Sequence, residues 1–91
     1  MADIDIQHPH QLPLPGARAA VQQVADKLVE RFGVECRWQD DALHFNRTGV
    51  DGRIALLPGV VHVQAELGFL LAAMQGPIES EIRRVLAKHF G

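Results

Sequence analysis

Between Val34 and Leu67 the chain alternates apolar and polar residues in four short runs separated by turn signals. Val34, Cys36 and Trp38 fall on one parity; Glu35, Arg37 and Gln39 fall on the other. Leu43 and Phe45 then alternate with His44 and Asn46. Val50, Gly52, Ile54 and Leu56 alternate with Asp51, Arg53 and Ala55, and Val61, Val63, Ala65 and Leu67 with His62, Gln64 and Glu66. Successive side chains of a strand point to opposite faces, so each run offers one face to a core and one to water. The breaks at Asp40-Asp41, Thr48-Gly49 and Pro58-Gly59 are too short for a crossover, which makes these runs antiparallel neighbours. Such a sheet tolerates solvent on one side.

The flanking segments supply the cover for the other side. Asp3 to Gln7 alternates in the same way and reads as a further strand. His8 to Gly16 holds Pro9, Pro13 and Pro15, a stiff extended connection. From Ala17 the period changes: Val21, Val24, Ala25, Leu28 and Phe32 are spaced by three and four, one stripe of a helix expected over about 16–32. Pro15 suits its first turn and Gly33 the left-handed position just beyond its end. Near the C-terminus, Ile78, Ile82, Val85, Leu86 and Phe90 make a second stripe. Gly76-Pro77 interrupts it, so a short helix near 68–75 and a longer one over about 77–90, or one kinked helix, are expected. The order is β-α-β-β-β-β-α over a single domain, 1–91. The expected fold class is α+β, a curled antiparallel sheet with two helices on one face. It resembles a truncated helix-grip arrangement, a likeness of shape that carries no function.

Composition narrows function by exclusion. Nine basic residues against eleven acidic give a net charge of −2, without the positive footprint that nucleic acid or anionic lipid requires. The strand aromatics Trp38 and Phe45 fall on the core parity, so no stacking platform for single strands is expected. The N-terminus lacks a basic and then apolar leader pattern, and no apolar run, Leu67 to Met74 included, exceeds eight residues, far below the roughly 20 residues of a spanning helix. The expected compartment is the cytoplasm, with Cys36, the sole cysteine, reduced.

The side chains capable of catalysis are few. Ser80 lies between Glu79 and Glu81 with no nucleophile elbow, Thr48 is a turn residue, and Cys36 is on the core parity where a thiol stays protonated. His8 and His10 sit on the extended connection, and His44 and His62 share the wet face. Nothing in that spacing forces the three or four convergent ligands of a zinc site; the loop histidines have the alternative of bonding backbone groups. Asp40-Asp41 reads as a turn and Asp3 and Asp5 as a solvated strand face. No catalytic residue, metal or cofactor is expected.

The remaining oddity is Leu67-Gly-Phe-Leu-Leu-Ala-Ala-Met74. A helix apolar on all sides is either buried throughout or faces something other than water, and burial throughout is hard in a small domain. Either Gly68, Ala72 and Ala73 merely sit at a rim, or the segment is a contact patch. The contact residues would be Phe69, Leu70, Leu71 and Met74.

Several stretches in order resemble the polyhydroxyalkanoic acid system proteins: Ala2-Asp-Ile-Asp-Ile6 with His8-Pro-His10 and Leu12, Arg31-Phe-Gly33, Leu43-His-Phe45, Arg47-Thr-Gly-Val-Asp-Gly-Arg-Ile54, Ala65-Glu-Leu-Gly-Phe-Leu-Leu71, and Gly76-Pro-Ile-Glu79 with Glu81-Ile-Arg-Arg84. The resemblance spans nearly the whole chain. It implies a place in bacterial polyhydroxyalkanoate storage, near the synthesis and granule-coating functions, and supplies no reaction. The expected role is a non-catalytic accessory protein acting through contact with a second copy, a granule protein or the polymer surface. The alternative is a small-molecule site, for a hydroxyacyl-type chain, in an apolar pocket between sheet and C-terminal helix.

Overall fold

A computed structural model describes residues 2–90, apart from the side chains of Ala2 and Leu70. The alternating runs form the expected strands: β1 (Ala2–Pro9), β2 (Glu35–Gln39), β3 (Ala42–Arg47), β4 (Val50–Leu57) and β5 (Val60–Leu67). Helix α1 (Leu14–Phe32) follows β1, and α2 (Gln75–Phe90) ends the chain. The strands pair antiparallel in the order β1-β5-β4-β3-β2, an open sheet.

The register carries the inferred parity straight across the sheet. Ile6, Val63, Ile54, Leu43 and Trp38 form one transverse row, and Ile4, Ala65, Gly52, Phe45 and Cys36 the next. These rows face the helices. Ile54 and Val63 are fully buried, as are Val21 and Ala25 of α1 and Ile82 and Leu86 of α2. Gly52 is where the second row is tightest. A methyl group there would overlap the Phe45 ring and stand 3.0 Å from the Ala65 Cβ, so the aromatic ring fills the space a side chain would need.

Both helix boundaries differ from the sequence expectation for local reasons. Helix α1 begins two residues early, with Pro13 as its N-cap: the Ala17 N–H donates to the Pro13 carbonyl at 2.8 Å, and Pro15 lies in the first turn, as expected. Gly33 ends it in the left-handed conformation, φ 67°, its N–H donating to the Val29 carbonyl, as expected. At the C-terminal end, residues Phe69–Met74 form a 3₁₀ stretch that passes into α2 at Gln75. Gly76 and Pro77 thus fall in the first turn of α2, where backbone N–H groups have no partner within the helix and proline removes nothing. The 3₁₀-to-α change replaces the break expected at Gly76-Pro77.

The helices are tied to each other and to the sheet by side chains at the surface. Glu81 of α2 accepts from Arg84 at 2.6 Å and lies 3.6 Å from Arg31 of α1. The hydrogen bond from Arg84, aided by the charges of Arg31, Arg84 and Lys27, holds the Glu81 carboxyl below the usual range, against the opposing effect of desolvation. Trp38 donates its indole N–H to Gln22 at 2.8 Å, and the Arg18 guanidinium stacks 4.1 Å from its ring centre.

Candidate functional site

The apolar segment after β5 is built by a glycine pair. Gly49 closes the β3–β4 turn at φ 88°, a conformation that favours glycine. Its carbonyl accepts the Gly68 N–H at 2.7 Å, which pins the chain as it leaves β5. The Leu71 N–H then donates to the Gly68 carbonyl at 3.0 Å and starts the 3₁₀ stretch. Leu71 folds back over the turn, packing where a Gly49 side chain would lie and against the core. Its inward packing leaves Phe69 on the outside.

The structure therefore divides the four expected contact residues. Phe69 is 90% exposed and Met74 39% exposed. Leu71 is half-buried and serves as the anchor. The Leu70 side chain lies outside the described residues. Ala72 is half-buried at the rim and Ala73 is exposed. The rim arrangement of the small residues and an outward apolar face thus coexist: Leu71 and Ala72 are half-buried while Phe69 and Met74 stand at the surface. An aromatic ring standing in water costs solvation that nothing in the fold recovers.

The wet face of the sheet is graded along the strands. One transverse row reads Asp3, Glu66, Asp51, Asn46 and Glu35; the next reads Asp5, Gln64, Arg53, His44 and Arg37. Then come Gln7, His62, Ala55, Ala42 and Gln39, and finally Pro9, Val60 and Leu57. Charge thus lies at the Phe69 end and apolar surface at the opposite end. A shallow hollow of about 400 Å³ opens over Asp3, Asp5, Arg53 and Glu66. Within the next row, Asp5 meets His62 across the β1–β5 pair at 2.7 Å.

The other end holds a second apolar feature that the sequence reading passed over. Leu12, Leu14 and Leu57 are each more than one-third exposed. With Leu56, Pro58 and His10 they surround a hollow of about 280 Å³. The signal was there in Leu12-Pro-Leu14, apolar residues inside the stiff, extended connection; their proximity to Leu57 arises only through the β1–β5–β4 register.

The remaining reactive side chains stay apart. Burial, and then the charge of Asp26, push the Cys36 thiol upward, away from the thiolate a nucleophile needs. His8 and His10 pack edge-on against Phe90, ring centres 6.2 and 5.0 Å away. His10 Nδ1 accepts the Leu12 N–H at 3.1 Å, so this imidazole fixes the connection between β1 and α1. Among the described residues no three metal-binding side chains converge, and no helix is long and apolar enough to cross a membrane.

Residues 4–90 match the model of the polyhydroxyalkanoic acid system protein family. The chain belongs to this family. No curated protein and no solved structure matches it.

Proposed function

We propose that this chain is a non-catalytic accessory protein of bacterial polyhydroxyalkanoate storage, working in the cytoplasm and at the granule by surface contact. The observation that carries this reading is the 90% exposure of Phe69 on a turn braced from behind by Leu71 and the Gly49–Gly68 hydrogen bond. The family supplies the setting. Phe69 and Met74 are the contacts, Leu71 is the support, and Leu70 belongs to the same patch by sequence position.

Energy decides which effect such a patch has. Burying one large apolar side chain is worth about 1.5–3 kcal/mol, so Phe69 with Met74 supports a reversible association. A hydroxyacyl site between sheet and helix is less well supported, because Ile54, Ile82 and Leu86 fill that space and are fully buried. The cysteine and histidine geometry likewise favours contact over catalysis.

Purified polyhydroxyalkanoate granules, carrying their own coat proteins, provide the test. The wild-type chain is expected to sediment with them, and Phe69→Gln/Met74→Gln to lose most of that binding with an unchanged melting temperature. Equal sedimentation of the two proteins would reject the patch as the contact surface.

A further inference from the structure

The open sheet has two edges, and they are not alike. At one, β1 carries Pro9, which has no N–H to offer, and its Asp3 carbonyl already accepts the Gln75 side-chain amide at 2.8 Å. At the other, β2 has no strand beyond it and contains no proline. Among the described residues no backbone–backbone hydrogen bond reaches Glu35–Gln39 from outside the sheet. Alternate N–H and C=O groups of β2 therefore face outward with no strand to receive them, the condition under which one strand recruits another.

The charges on the wet face say which strand fits. There β2 presents Glu35 and Arg37, both exposed, and among the described residues neither is in an ion pair. Glu35 ends the row of Asp3, Glu66 and Asp51, and Arg37 ends the neighbouring row, after Arg53 and His44. One row is acidic, and the other is basic where it nears the edge.

We propose that the chain pairs with a second copy of itself along β2, antiparallel about a twofold axis at Cys36, so that Glu35 of each copy faces Arg37 of the other. Antiparallel neighbours set side chains of equal parity opposite one another, so a twofold axis through the joined sheet passes through a residue. At Arg37 it would set two guanidiniums face to face, and at Glu35 two carboxylates. At Trp38 it would pair Arg37 with Gln39 and leave Glu35 without a cation. At Cys36 the charges match, and they match twice. The match extends inward, because the acidic row of each copy continues into the Arg37–His44–Arg53 row of the other. On the helix side Trp38 meets Val34, and Cys36 meets its own counterpart. Trp38 and Cys36 are half-buried, the least covered members of their rows. The edge of β1 is a poorer partner for β2: its wet face holds Asp3, Asp5 and Gln7 and no cation, so at most one ion pair forms. Pairing of β2 with β2 uses the same edge on both copies, so assembly stops at a dimer. This contact goes beyond the granule reading and does not draw on Phe69.

Sedimentation equilibrium of the full chain over rising concentration, at low ionic strength where exposed charges are least screened, reads this directly. For the wild type, the weight-average mass is expected to rise from 10.0 kDa to twice that value and level there. Glu35→Arg turns both pairs across the axis into contacts between guanidiniums, and Arg37→Glu turns both into contacts between carboxylates. Each alone is expected to weaken dimerisation at least about tenfold. Both positions are exposed, so each variant keeps the circular dichroism of the wild type. Mixed in equal amounts, the two variants form a one-to-one pair, since each then meets the opposite charge. Glu35→Arg/Arg37→Glu exchanges the charges at an unchanged net charge of −2 and is expected to dimerise as the wild type does. Phe69→Gln/Met74→Gln is expected to dimerise as well, which separates this contact from the granule patch. A monomeric wild type, a mass that climbs past the dimer, or single variants that dimerise like the wild type would each overturn the proposal. So would a charge exchange that fails to restore pairing, or a dimer lost with Phe69 and Met74.

Discussion

Leu86→Ala is expected to lower the unfolding free energy by about 2–5 kcal/mol, measured as a shift of the urea midpoint at unchanged slope. Leu86 is fully buried on α2, between the sheet rows and α1. Truncation removes its transfer energy and leaves a cavity whose walls, the packed strands, relax only in part. A chain of 91 residues has roughly 0.05–0.15 kcal/mol per residue of net stability. The loss is thus a large share of the whole, and a partly unfolded population near physiological temperature is the expected companion. Phe69→Ala provides the contrast. Its side chain is 90% exposed, and the same truncation is expected to change stability by no more than about 0.5 kcal/mol. A buried leucine that stabilises and an exposed phenylalanine that does not would separate the residues that hold the fold from those that act outside it.

Gly52→Ala carries the second large effect, from added volume. The new methyl group would collide with the Phe45 ring and crowd the Ala65 Cβ. Phe45 is nearly fully buried and has no free volume to enter. Overpacking of this kind costs typically about 1–3 kcal/mol, offset by the ~0.4–1 kcal/mol gained when glycine's unfolded-state entropy is removed. The net expectation is a melting temperature several degrees lower. Phe45→Leu makes room. In the double variant the penalty of Gly52→Ala is expected to shrink, a positive coupling readable from a double-mutant cycle. Additive losses would mean that the ring does not occupy the space above Gly52.

How much of this was legible in the sequence depends on the range of the interactions. The period-two pattern from Val34 to Leu67 is local, and it sorted Trp38, Phe45, Ile54 and Val63 onto one face, where the register aligns them in two neighbouring rows. Gly33 was legible for the same reason, since a left-handed cap is a property of one residue. The start of α1 was placed two residues late because a first-turn proline such as Pro15 fits more than one position in that turn, and the Ala17–Pro13 hydrogen bond fixes which. The 3₁₀ character of Phe69–Met74 was not legible, because an apolar run has the same appearance in either helix. Within the candidate site, the segment was identifiable, but the inward turn of Leu71 was not. It depends on Gly49, a residue of a distant turn that the sheet brings near. The Leu12–Leu14–Leu57 hollow escaped notice because its halves belong to segments joined only by strand pairing.

Hydrogen–deuterium exchange of the full chain, with and without polyhydroxyalkanoate granules, tests the contact surface most directly. Slowed exchange centred on Gly68–Met74, with the rows of Asp5, Arg53 and His44 on the wet face unchanged, is the expected result. Protection of those charged rows, with none over Gly68–Met74, would contradict it.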